Sequence, residues 1–125
     1  MVKIGYKFWI ESKKGKHLIG KGGKKLLESI KETGSIKEAT RQINWSYKYA
    51  WSYLKRLQKR SPYPVIKTYK GGETGGGTTL TPWGEELLEL YQKAEKAFFS
   101  TSKKLKAITF LRSGENKRKE IEKKS

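Results

Sequence analysis

The stretch Ser35–Arg60, SIKEATRQINWSYKYAWSYLKRLQKR, decides the fold. Ser35 followed three residues later by Glu38 is a reciprocal cap signal, hydroxyl and carboxylate each satisfying a free amide of a first helical turn. Ile36, Ala39 and Ile43 then share one face, so a short helix is predicted, with small Ala39 where a second helix crosses closely. Asn44 tolerates a left-handed backbone better than other non-glycine residues and supplies the turn. Ser46 caps the next helix, whose inward stripe runs through Ala50, Leu54 and Leu57 with Tyr47 or Tyr53 on its flanks. Pro62 and Pro64 end it.

The neighbouring segments extend this pair of helices into a domain. Upstream, KIGYKFWIES alternates Ile4, Tyr6 and Phe8 against Lys3, Gly5 and Lys7, a strand signal, and KKGKHLIG is a turn and short return strand. Leu26, Leu27 and Ile30 then mark a helix that stops at Gly34. Downstream, PVIKTY and TTLT are strands joined by the glycine-rich GGETGGG, and Thr81 before Pro82 opens a long helix in the favoured order of cap and first-turn proline. Hairpin, helix, short helix, turn, helix, strand, glycine loop, strand and long helix is the plan of a winged helix-turn-helix, an α+β fold.

Charge narrows the partner. The 125 residues suit one domain and carry 29 Lys and Arg against 12 acids, all Glu, for a formal charge of +17. Residues 41–72 hold eight basic side chains and no acid, whereas 81–100 are slightly acidic. A field of that sign and position gathers a polyanion, nucleic acid ahead of an anionic membrane. With no cysteine and one histidine, His17, the chain lacks the cluster that zinc or a hydrolytic triad requires, so no metal, cofactor or enzymatic activity is expected. No apolar run approaches a membrane span and no signal peptide is evident, so a cytoplasmic location is expected.

LLESIKETGSIKEATRQINWSYKYAWSYLKRLQK, followed by PVIKTYKGGETGGGTTLTPWGEELLELYQKAE, resembles the amino-terminal DNA-binding domain of the molybdate-responsive ModE family, itself related to the heads of LysR-type regulators. The likeness runs from about Lys3 to Ala97. It is most specific in GSI at 34–36, SYKYAW at 46–51, GGETGGGTTLT at 71–81 and TPWG at 81–84. It implies a winged helix over residues 1–80, a dimerisation helix over 81–100 and a homodimer on palindromic double-stranded DNA. The remaining residues, 101–125, are expected to form a basic, partly disordered extension. Thr40 stands where the family usually has a second alanine. No molybdate-binding domain is expected after residue 100, so molybdate sensing is not expected to transfer, and regulation would fall to protein level or an unidentified protein partner.

Carried over by position, SYKYAW supplies the start of the recognition helix. Ser46, Tyr47 and Lys48 lie at its first turn, where side chains approach base edges and amides face a phosphate. Ser52, Lys55 and Arg56 lie further along and position the backbone. Lys70, Thr74 and Thr78 are the expected wing contacts, and Trp83, Leu87, Tyr91, Ala94 and Phe98 the expected dimer stripe. The rings of Trp45, Trp51 and Tyr53 suit packing better than base contact. The glycine loop lacks the GK[ST] ending of a nucleotide P-loop. Gly20 and Gly23 have the spacing of an RNA-binding GXXG loop, but the elements that follow do not alternate as that fold requires. The leading expectation is a sequence-specific dimeric transcriptional regulator, with an architectural or nonspecific DNA-binding chromatin protein as the alternative.

Overall fold

Short-range chemistry sets most of the helix ends in the computed structural model, which describes the backbone of residues 3–72 and 75–124 and the side chains of 3–71 and 76–106. Its elements are β1 (Ile10–Glu11), β2 (His17–Ile19), α1 (Lys21–Thr33), α2 (Ile36–Ile43), α3 (Tyr47–Arg60), β3 (Ile66–Gly72), β4 (Gly75–Leu80) and α4 (Pro82–Lys124). Gly34 ends α1 in the left-handed region at φ 70°, its N–H donating to Ile30 O. Asn44 ends α2 at φ 60°, donating to Thr40 O, and is the turn residue of the helix-turn-helix. Ser46 Oγ accepts from Tyr49 N at 3.0 Å and starts α3.

The cap of α2 is half of the expected reciprocal pair. Ser35 Oγ accepts from Glu38 N at 3.1 Å. The amide of Ser35 already donates to Thr33 Oγ1, and the Glu38 carboxylate accepts instead from Arg41 Nη1 at 3.0 Å. Thr40, the departure from a second alanine, is buried, with its hydroxyl donating to Lys37 O at 2.7 Å. That bond back onto the helix satisfies the group that alanine lacks, so the crossing tolerates it.

The alternation over residues 3–9 does not become a strand. The return strand β2 offers three residues before Gly20 caps α1, so pairing is confined to Ile10 opposite Ile19 and Glu11 opposite His17. Phe8 stacks on Tyr91, with ring centroids 4.5 Å apart, and owes its apolar character to that contact. The wing is a longer antiparallel pair, Ile66 opposite Leu80 through Tyr69 opposite Gly77, with a register shift before Gly72 meets Gly75.

By contacts the chain divides into two units, Phe8–Gln92 and a smaller one drawn from residues up to Lys7 and from Lys93 onward. In the larger unit α1 gives Leu26, Leu27 and Ile30 to the core, α2 gives Ile36 and Ala39, and α3 gives Ala50, Leu54 and Leu57. Leu18 and Ile19 of β2, Val65, Ile66 and the first turns of α4, through Leu87, Leu88 and Tyr91, close it. The motif Thr81-Pro82-Trp83-Gly84 fastens α4 to this body. Thr81 Oγ1 accepts from Gly84 N and donates to Pro64 O, while Trp83 Nε1 donates to Ser61 Oγ. A Cβ on Gly84 would run into the carbonyl oxygen of Val65, so the helix approaches the wing root this closely through glycine alone. In the smaller unit Tyr6 meets Phe98 edge to face at 6.4 Å and Lys103 lies over the Phe99 ring.

The architecture is a winged helix-turn-helix, α+β, with an amino-terminal hairpin and a long carboxy-terminal helix. Helix α4 continues to Lys124, past residue 100 where the basic extension was expected to begin. Residues 101–124 contain no proline and one glycine, Gly114, so nothing in their composition breaks a helix already under way.

Candidate nucleic-acid interface

Successive residues of an α-helix are turned by about 100°, which sorts α3 into four sides. Ala50, Leu54 and Leu57 face the core and are at most 2% exposed. Opposite them Lys48, Ser52, Lys55, Arg56 and Lys59 all face solvent. One flank carries Tyr47, Trp51 and Gln58, the first two meeting edge to face at 6.2 Å. On this flank Gln58 Oε1 accepts from Val65 N at 2.6 Å and from Ile66 N at 3.3 Å, tying α3 to the root of the wing. The other flank carries Tyr49, Tyr53 and Arg60. Tyr53 Oη donates to Leu18 O at 3.4 Å and Arg60 Nη1 to His17 O at 3.3 Å, tying α3 to β2.

This arrangement brings Ser46, Tyr47, Lys48, Ser52, Lys55 and Arg56 to the exposed surface of one element. Tyr47 is 52% exposed despite its contact with Trp51. Trp45 lies under Tyr49 and Tyr53, at 4.7 and 5.6 Å, and with them forms an aromatic layer. Lys59 belongs to the same outward face and follows Lys55 by four residues, a helical spacing that the sequence already carried. Burial pushes the Tyr53 phenol up to about 12 against a backbone hydrogen bond from Gly20 that lowers it, so the group is neutral at ordinary pH.

The wing divides differently from expectation. Lys70 is exposed, and on the same strand Lys67 Nζ sits 5.2 Å from the Tyr69 ring centre. Thr74 lies outside the described residues. Thr78 is buried at 6% exposure, with its N–H donating to Gly34 O at 2.8 Å. Its place is beside the α1–α2 junction, so its hydroxyl is not presented on the wing surface.

The five positions of the expected dimer stripe are likewise separated by packing. Leu87 and Tyr91 are inside the core of the larger unit, and Trp83 is half-buried there, edge to face with Tyr63 at 5.8 Å. In the smaller unit Ala94 is half-buried and Phe98 is 46% exposed beside an exposed Phe99. Among the described residues no group of His, Cys, Asp and Glu could hold a metal ion, and no helix is long and apolar enough to cross a membrane.

No protein-family model matches the chain. Among curated proteins it is similar to the transcriptional regulator ModE of Haemophilus influenzae, 43% identical over 72 residues, which are 58% of this chain and 28% of that protein. It is 35% identical over 77 residues to the DNA-binding transcriptional dual regulator ModE of Escherichia coli K12, covering 58% of this chain and 29% of the relative. A molybdenum-pterin-binding protein of Rhodobacter capsulatus, MopB, is 41% identical over 70 residues, covering 56% and 26%. The chain thus spans under a third of the length of these relatives. The resemblance to the ModE family holds over the amino-terminal part of the chain, where the helix-turn-helix lies.

Proposed function

From this likeness to ModE regulators, we propose that the chain is a DNA-binding transcriptional regulator acting without chemistry, as a sequence-specific dimer. The observation that carries the proposal is the outward face of α3, where Lys48, Ser52, Lys55, Arg56 and Lys59 stand together with no acidic side chain on the helix. Such a face neutralises phosphates and releases their counterions, which supplies most of the affinity. The first turn, with Tyr47 and Lys48, reaches base edges in the major groove and supplies the sequence term. Gln58 holds the wing root against the same helix, so that Lys70 meets the backbone or the minor groove alongside.

In this proposal residues 1–80 are the DNA-binding domain, 81–100 the dimerisation helix and 101–125 a basic extension. The pairing surface draws on the exposed Phe98, since Leu87 and Tyr91 already fill the core of their own chain. Two copies would set two α3 helices in successive major grooves, about 34–36 Å apart on one side of the duplex. Selection from random-sequence duplexes tests the reading. Enrichment of one palindromic motif with half-sites one helical turn apart is expected. Enrichment of no motif at all would replace it with an architectural protein that coats DNA.

A further inference from the structure

Beside the outward face of α3, a cleft of about 190 Å³ opens between the helix and β2, lined by His17, Leu18, Tyr49, Tyr53, Arg56, Leu57 and Arg60. It is several times the roughly 30 Å³ of one water in liquid. Its polar lining is cationic or neutral throughout. Among the described residues neither Arg56 nor Arg60 is in an ion pair, and Tyr53 stays protonated because burial opposes its ionisation. Glu11, which pairs with His17 across the hairpin, accepts a hydrogen bond from Trp9 Nε1 at 2.9 Å and does not line the cleft.

We propose that this cleft holds one backbone phosphate of the bound DNA, gripped by Arg56 and Arg60 with the Tyr49 hydroxyl as a further donor. The inference rests on the reading of α3 as the DNA-facing helix and extends it to a cleft of which that reading had used Arg56 alone. Arg56 belongs both to the outward face and to the cleft wall, so a strand lying along α3 passes directly over the opening. Arg60 is aimed by its bond from Nη1 to His17 O, and a guanidinium has five N–H donors in all, a fork that suits phosphate oxygens. The carboxyl end of α3 contributes about half a negative charge nearby, against two full guanidinium charges. The hairpin side of the helix therefore grips the backbone as the wing does on the other side, and the two grips set the angle of α3 in the groove.

The test uses the full chain and a duplex from the selection above, with single phosphates replaced in turn by neutral methylphosphonates. For the unaltered protein, one replacement on the hairpin side is expected to weaken binding by about tenfold or more. With Arg60→Gln, checked for folding by circular dichroism, that same replacement costs several-fold less because Arg56 alone still meets the phosphate, and with Tyr49→Phe its cost falls by a smaller factor. Arg60→Gln also lowers the salt slope by about one unit. Lys59→Gln, a neighbour outside the cleft, should lower the slope while leaving the sensitive phosphate sensitive. Normal duplex binding by the unaltered protein, with Arg60→Gln matching it in affinity and slope, overturns the cleft and leaves the DNA reading standing. Failure of the unaltered protein to bind any duplex overturns both. Inorganic phosphate added alone, followed by the fluorescence of the Trp45–Tyr49 layer, separates the sources. Saturable binding of the free ion that needs Arg60, with no effect of Arg60→Gln on duplex binding, makes the cleft a free-oxyanion site and rejects the proposal.

Discussion

Between Ile10 and Ile19 the chain forms a hairpin of two and three residues whose return strand buries Leu18 and Ile19, whereas between Ile66 and Leu80 it forms one of seven and six residues in which most of the described side chains are exposed. Both flank α3, one on each side. The difference lies in what their side chains meet. Leu18 and Ile19 are adjacent, so they point to opposite faces of β2, and both are buried because α1 and α3 cover those faces. In the wing Ile66 and Thr78 are enclosed at the root, and residues 67–71 stand in solvent. A hairpin pressed into a core contributes stability and fixes its neighbours. One that is held only at its root contributes a projecting surface, and its glycines leave it little to bury.

Emptying the first hairpin should cost the most stability. Ile19 is fully buried, and Ile19→Ala is expected to lose about 2–5 kcal/mol in denaturant unfolding. A loss below about 1 kcal/mol, small beside that cavity cost, would mean that β2 is not part of the core. The root of the wing should come next. Gln58→Ala removes the acceptor for the amides of Val65 and Ile66, at a cost of about 1–3 kcal/mol for the groups left unsatisfied. Hydrogen exchange at those two amides should quicken while the amides of Leu26 and Leu27 in α1 hold, and Gln58→Glu, which keeps an acceptor, should recover most of the loss. Uniform quickening across α1 and the wing would show that the wing is not a separately anchored element.

The smallest effect on stability is expected at the exposed wing. Lys70→Ala should change unfolding by no more than about 0.5 kcal/mol, as surface substitutions do. It should nonetheless weaken selected and scrambled duplexes by similar factors and lower the salt slope by about one unit. Equal duplex binding with and without Lys70 would remove the wing from the interface. A stability loss comparable to that of Gln58→Ala would make it a structural strand like β2.

Several of these features were legible in the residues because they are settled within a turn of helix. Gly34, Ser35, Asn44 and Ser46 mark helix ends by their own hydrogen bonds and backbone preferences, and the structure places each as the sequence indicates. The inward stripe of α3 follows from helical spacing alone, and Lys59 could have been assigned to the opposite face by the same rule. The alternation at residues 3–9 misled because period two records where apolar side chains fall and not whether a partner strand exists. Thr78 shows the same limit. Its place in the wing, directly after the glycines, suggested exposure, but the N–H bond to Gly34 O draws it against the body of the domain.

The order of the elements, the ends of α1, α2 and α3, the buried stripes of α1 and α3 and the concentration of positive charge in residues 41–72 follow from the residues alone, whereas the far end of α4 does not. These depend on neighbours one to four positions away, or on a simple count, and need no knowledge of the remainder of the chain. The tertiary structure alone decided that Leu87 and Tyr91 belong to the intrachain core, that Gly84 must be glycine beneath Val65, and that Arg60 turns to His17, 43 residues earlier. Each of these depends on which surfaces meet when the helices close on one another. An amphipathic stripe specifies that a face is to be covered, and its periodicity is the same whether the cover comes from its own chain, from a second copy or from DNA.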